Sequence, residues 1–484
     1  MSESTSKENR DPSSSSIPLR WALVSVLGLI GCLVLFLVIL KALDPTFKLD
    51  GHLPLTLAAC IAGLVARLHH WKWEKIQEGI LQGIGMSMSA ILILLVIGML
   101  IGTWILAGVV PAMIDWGLWL LSPRVFLPAV CVISSIVSLV TGSSWSTAGT
   151  VGIALIGVGD AMNIDPAYTA GAVVSGAYFG DKLSPMSETT NLAAAMAGSE
   201  LFSHIRHMVW TAGPAWICAM IGYAFFAIRD SVVVPETQVE RIRDLIQQQF
   251  DPGIMHTIPP IIVLVMVIRK QPALPSLLLG TAVAGIIAWM QGIPITEIFT
   301  VAMNGYTPDT GHPAVDNLLK KGGMNSVMPT VLLIICAMCF GGVMESTGQL
   351  RQIAIKIMTL AKSTGSLIAS TILTSVALNI LAADQYISIV VPGRMYSAEY
   401  QRRGLQLKNL SRALEDGGTL TSPLVPWNSC GAYMATALGV ATMSYLPFAF
   451  LNLINPLIGI LLGITGWTIA TTTKPSPKQE SKSS

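Results

Sequence analysis

Runs of about twenty apolar residues leave a chain few options, because a helix of that length is what crosses a bilayer core. Such runs recur here at 22–43, 51–67, 87–109, 208–227, 254–268 (short), 272–290, 328–346 and 445–470. Inside a bilayer every backbone N–H and C=O must be satisfied by the protein itself, so the runs are expected to be transmembrane helices. Composition agrees: 52% of the 484 residues are hydrophobic and 12% charged, against about 25% charged in ordinary soluble domains. The run at 22–43 is too long for a signal-peptide core, lacks a small-residue cleavage site after it, and is expected to stay in the protein. The formal net charge of +2 and the lack of a Lys/Arg-rich block beyond the tails argue against a nucleic-acid partner. The lipid bilayer is the expected surrounding.

Two further stretches, 124–197 and 364–441, are apolar but interrupted by Gly, Ser, Pro and charges. They read as copies. A shift of 240 residues lays Gly102 and Gly108 on Gly342 and Gly348, Ser135 on Ser375, and Ser144 on Asp384. Further on, GDKLSPMSETTN (180–191) parallels EDGGTLTSPLVPWN (415–428), each with a Ser-Pro pair. The shared order of breaks, rather than residue identity, is the mark of an internal transporter repeat.

Lys and Arg mark cytoplasmic loops. Lys7, Arg10 and Arg20 place the N-terminus inside, as Arg402, Arg403, Lys408 and Arg412 do for the loop they share. The stretch 159–168 holds Asp160 and Asp165 but no basic residue, and is expected outside. The copies are therefore expected to have opposite topology. The expected fold is an all-α polytopic membrane protein with two inverted-topology repeats. Each holds about five transmembrane spans plus a re-entrant hairpin and a broken helix. The repeats cover 21–227 and 254–471, joined by an extracytoplasmic linker at 228–253. Disordered tails at 1–20 and 472–484 are both expected on the cytoplasmic side of a cytoplasmic (inner) membrane, with a homodimer left open.

Broken helices inside a membrane are tolerated where they line a cavity or are buried in protein, and there their freed ends can hold ions. Four breaks are visible: Thr141–Thr147, Ala382–Gln385, Ser184–Asn191 and Thr419–Asn428. Ser143, Ser144, Thr147, Ser187, Thr189, Asn191, Ser422 and Asn428 offer neutral oxygens there; Asp181, Glu188, Asp384 and Asp416 offer carboxylates. These are hard-oxygen donors, suited to a small hard cation. Desolvation favours the protonated form of a carboxyl and a nearby cation favours the ionised form. One carboxylate can thus hold a proton or a cation but not both, which is the simplest basis for cation/proton exchange.

Blander roles stand beside these. Gly180 and Pro185 are expected to break their helix, with Lys182 holding Asp181 or Glu188 when the site is empty. Glu188 is also placed to cap the helix that follows. Asp416 is close enough in sequence to Arg412 and Glu415 to join a cytoplasmic-end salt bridge. Asp384 stands where the first copy has a serine, as a site needing a single charge would require. Trp145 and Trp427 are expected to pack or anchor. The seven histidines fall near span ends or in loops and are expected to be interfacial, and the seven cysteines, Cys336 and Cys339 included, to be packing residues. Gly157–Asp160 matches the short GxGD pattern of intramembrane proteases, but its Tyr-Asp partner is absent. No enzyme motif is complete, and no enzymatic activity is expected.

TGSSWSTAGTVGIALIGVG (141–159) followed by SGAYFGDKLSPMSETTNLA (175–193) resembles the signature of the NhaC family of sodium/proton antiporters, as does VDNLLKKGGMNSVMPTVLLI (315–334). The resemblance covers roughly residues 20–470. It implies exchange of Na+ for H+, both as transported species, with no bound cofactor. It also implies that GSSWST forms one hairpin tip and SETTN one unwound loop, with AADQYIS and TSPLVPWNS as counterparts. The family also contains exchangers that couple these ions to malate and lactate.

Overall fold

A computed structural model describes residues 17–43, 51–229, 236–308 and 313–472; most of both tails and part of the linker lie outside the described residues. Among the described residues the regular structure is helical, apart from one isolated antiparallel bridge between Leu405 and Thr471. Seven of these helices are long and apolar enough to cross a membrane, or up to nine if two bent pairs each count as one span. The shorter apolar helices His52–Leu68 and Val109–Leu120 accompany them.

Three apolar runs differ from the straight spans expected. The run at 87–109 is the end of a 34-residue helix, Trp73–Leu106, about 51 Å long at 1.5 Å per residue. Its first turns, WEKIQEG, are polar, but Glu, Lys and Gln are good helix formers, so charge ends the apolar run without ending the helix. The run at 254–268 bends by 97° onto Arg243–Phe250, and Thr442–Phe448 meets Phe450–Thr465 at 58°. Part of the linker is thus a helix, Glu236–Phe250. It is anchored where Arg243 Nε and Gln247 Nε2 donate to Asp115 Oδ1 at 2.9 and 3.0 Å.

Trp73–Leu106 packs backbone to backbone on Met324–Ser346. A Cβ on Gly83 would stand 2.6 Å from the Met338 carbonyl oxygen, and one on Gly342 would stand 2.4 Å from that of Gly79. Small residues permit this approach, which large side chains would hold apart.

After each of these two long helices the same order of elements follows. First comes a left-handed glycine, Gly108 (φ 78°) or Gly348 (φ 73°), then a short helix, Val109–Leu120 or Gln349–Met358. A hairpin comes next. In the first copy it is Pro123–Thr141 with Ser144–Thr147 and its continuation to Ala161; in the second it is Thr364–Leu381 with Gln385–Arg402. A broken helix follows: Pro166–Leu183 with Glu188–Ala197, or Lys408–Thr419 with Ser429–Leu438. Left-handed Gly198 (φ 79°) and Gly439 (φ 68°) end them. The hairpin tips correct the alignment by one residue: Ser143, not Ser144, stands where Asp384 stands, each just before the second arm. Gly180 is not a breaker. Its helix continues to Leu183, and a Cβ at 180 would lie 2.3 Å from the Ser135 carbonyl oxygen of the hairpin arm beside it.

Candidate functional site

Each of the four interrupted segments restarts as a helix with exposed N–H groups, and in each a side chain caps them. Ser143 Oγ accepts from Ser146 N at 3.1 Å, Ser187 Oγ from Thr190 N at 3.3 Å, Asp384 Oδ1 from Ile387 N at 3.0 Å and Asn428 Oδ1 from Cys430 N at 3.0 Å. Short polar side chains before an apolar run are what a buried helix start needs. These four sequence candidates therefore hold the backbone first.

At the first break, Asp181 sits in the last turn of Pro166–Leu183, 5% exposed, and its Oδ2 accepts from Ser144 Oγ at 2.7 Å. The first broken helix and the first hairpin tip thus meet through a carboxylate and a hydroxyl. The backbones also touch here: a Cβ on Gly142 (φ 68°) would stand 2.7 Å from Met186 Cβ. Ser187 lies beside Asp181, with Thr189 Oγ1 3.1 Å from its hydroxyl. The buried Tyr178 hydroxyl faces Asp181, Ser422 and Cys430. Ser422 is buried and donates to the Thr419 carbonyl at 2.8 Å. Cys430, next to Asp384, donates to Gln385 Oε1 at 2.7 Å. Asp181, Ser144, Ser187, Thr189, Tyr178 and Ser422 therefore form one oxygen-rich group, with Asp384 across Cys430 from it.

Other candidates go elsewhere. Thr147 donates back to the Ser143 carbonyl at 2.9 Å. Asn191 is exposed and ties its amide to the Pro185 and Ser187 carbonyls at 3.0 and 2.7 Å, holding the loop. Glu188 is the exposed first residue of its helix, which Ser187 caps, and accepts from Tyr386 OH of the second hairpin at 2.9 Å. Asn428 donates to Asn379 O and Oδ1 at 3.1 and 3.2 Å.

Lys182 pairs with neither Asp181 nor Glu188. It pairs with Asp416 across the molecule, the two side chains 0% and 1% exposed. Thr211 Oγ1 and Asn455 Nδ2 also donate to Asp416 Oδ1, at 2.9 and 2.6 Å. The expected link from Asp416 to Arg412 is absent: Arg412 Nη1 donates to Thr468 Oγ1 at 3.0 Å. The broken helices of the two copies are thus joined by a buried ion pair, whose desolvation is offset by the added hydrogen bonds.

Residue-type reasoning passed over several groups. Asn379 Nδ2 donates to Gly418 O at 2.6 Å and Thr421 Oγ1 at 2.9 Å, holding the second break open. Glu415 is wholly buried. His204 and His207 lie in the first two turns of Leu201–Arg229, near a span end as expected, and their side chains are buried, 0% and 7% exposed. The available signal was an amide, acid or imidazole at a helical position among apolar neighbours. Trp145 packs as expected, stacked on Tyr433 with centroids 4.0 Å apart, and Trp427 Nε1 donates to the Ile380 carbonyl at 2.8 Å.

The chain was compared with known proteins. A family model described as the Na+/H+ antiporter family matches residues 176–467. The chain is 37% identical to the Na+/H+ antiporter NhaC of Alkalihalophilus pseudofirmus, over 87% of this chain and 91% of that one. It is 36% identical to the arginine/ornithine antiporter ArcD of Halobacterium salinarum, over 92% of each. It is 35% identical to the malate-2H+/Na+-lactate antiporter of Bacillus subtilis, over 96% of this chain and 98% of that one.

Proposed function

This chain belongs to the Na+/H+ antiporter family, and from that premise we propose that it exchanges Na+ for H+ across the membrane through the oxygen-rich group around Asp181. The observation that carries the reading is the Asp181–Ser144 contact: a nearly dry carboxylate joined to a hairpin tip by one hydroxyl. Asp181 binds the cation as an anion. Ser144, Ser187 and Thr189 supply neutral oxygens that replace water, and proton uptake by the protein releases the ion. Asp384 and the Ser422 hydroxyl are assigned to the opposite wall. Glu188 and Tyr386 link the first broken helix to the second hairpin.

An inorganic cation fits this group better than an organic anion. A carboxylate substrate is recognised by uncommitted cationic groups, and the lysine beside Asp181 is already committed to Asp416. Everted vesicles containing the protein are expected to show dequenching of a pH-sensitive dye on adding NaCl alone. Dequenching that appears only with malate plus lactate, or with arginine plus ornithine, would replace this reading by one of those exchanges.

The same proposal includes opposite topology for the two copies and cytoplasmic termini, on the charge pattern of the loops. In a cysteine-free background, an impermeant thiol reagent on intact cells is expected to label Asn163→Cys and spare Arg402→Cys. The reverse pattern rejects it.

A further inference from the structure

Glu415 is a buried acid without an assigned task. It opens the π-helical turn Glu415–Thr419, is 0% exposed, and among the described residues neither carboxyl oxygen has a partner at hydrogen-bond geometry, with the Thr419 side chain lying beside it. Lys182 faces it but is bound to Asp416. A buried carboxyl is disfavoured as an anion unless donors or a cation replace its hydration, and a proton removes the charge. A π-turn in an otherwise α-helical segment is also a frequent mark of a functional position.

We propose that Glu415 is the proton-binding group of the exchange, separate from the cation site at Asp181 and Ser144, and that His204 and His207 carry its proton to the surface. The inference rests on the Na+/H+ reading and adds a second site to it. His204 is wholly buried, has no hydrogen-bond partner for either ring nitrogen among the described residues, and faces Lys182 and His207. His207 Nε2 lies 3.1 Å from Asn409 Oδ1. It also lines a cleft of about 410 Å³ with Glu200, Arg206 and Lys408. An imidazole relays a proton by accepting on one nitrogen and donating from the other. The proposed path runs from the cleft through two imidazoles toward Lys182, which faces both His204 and Glu415.

The charged surroundings of Glu415 explain the coupling. The first broken helix brings Asp181 and Lys182 to it, and its own segment brings Asp416, with Arg412 turned toward Thr468. Gln385–Arg402 contributes the buried Tyr396 and Tyr400, while its Glu399 is paired with Arg402 and Arg403 and its Arg394 is exposed. Glu188 is exposed and bonded to Tyr386. Thr364–Leu381 and Phe450–Thr465 carry no charged side chain. Na+ at Asp181 cancels the anionic charge facing Glu415 from that side and so favours loss of the Glu415 proton. By linkage, protonating Glu415 weakens Na+ binding to the same degree.

The test uses the full-length protein in proteoliposomes with two readouts, counterflow of radioactive sodium against sodium and Na+-driven proton movement. Wild type without Na+-driven proton movement would defeat the Na+/H+ reading itself. With wild type active, Glu415→Gln, neutral like the protonated acid, is expected to lose proton movement to background and keep sodium counterflow at a weakened sodium affinity. His204→Gln is expected to slow proton movement while counterflow is unchanged. Proton movement retained in Glu415→Gln, or both activities lost together in a variant that elutes and melts like wild type, would overturn the inference. If Glu415→Gln does not fold, Glu415→Asp serves: its exchange is expected to show a shifted pH profile with normal counterflow, and an unshifted profile rejects the proposal.

Discussion

The two broken helices share a position in the element order and differ in how they handle charge. The first interrupts over a few residues, Ser184–Ser187, and its acid, Asp181, touches a hydroxyl of the hairpin tip. The second interrupts over a π-turn and a 3-10 turn. Its acid, Asp416, is locked by a lysine, a threonine and an asparagine onto one oxygen. Unpartnered buried oxygens gather around the second, on Glu415, Asp416, Thr419, Asn452, Asn455 and Ser375. The difference teaches that equivalent scaffolds carry separate duties: one break keeps a carboxylate lightly held, the other fixes a carboxylate and leaves its neighbour alone.

The comparison breaks most decisively at Asp181. Asp181→Asn keeps size and an oxygen but removes the anion, and Na+-driven proton release in everted vesicles is expected to fall to background. A wild-type rate would show that the lightly held acid is not the one that matters. Next is the locked pair. Lys182→Met leaves Asp416 buried and unpaired, expected to cost about 3–5 kcal/mol, read as a lowered melting temperature in detergent. The double variant Lys182→Met/Asp416→Leu is expected to recover most of that loss, and equal losses in single and double would reject the lock.

Smaller effects sharpen the contrast. A Cβ on Gly459 would stand 2.7 Å from Asp416 Oδ2 and 3.0 Å from Ile372 Cδ1. Gly459→Ala is expected to destabilise by about 1–3 kcal/mol through overpacking, and a neutral result would mean that the second break has slack. Asn191→Ala removes two hydrogen bonds at an exposed loop, with an expected cost of about 1 kcal/mol and little change in the sodium dependence of exchange. A large change in sodium affinity would move Asn191 into the site.

Much of the architecture was legible because a bilayer enforces it. Apolar runs of spanning length and polar interruptions at matching places read directly as helices and breaks. The polar start of Trp73–Leu106 was not legible, since no hydropathy signal marks a helix that continues beyond its apolar run. At the site, residue type located the breaks but not the partners. Lys182 is adjacent to Asp181 in sequence, yet Cβ directions on a helix point adjacent residues to different faces, and its partner lies 234 residues away. Glu415 and Asp416 look alike in sequence for the same reason, and packing against Thr211 and Asn455 distinguishes them.

The capping slots at the hairpin tips bear on how such proteins diversify. Ser143 and Asp384 do the same work for the backbone, accepting an N–H three residues on, and serine and aspartate are near equals in that work. A mutation between them changes the charge that the tip can carry by one unit and leaves the helix start intact. Charge can therefore change at a hairpin tip without loss of the cap, the cost falling on the burial of the carboxylate rather than on the backbone.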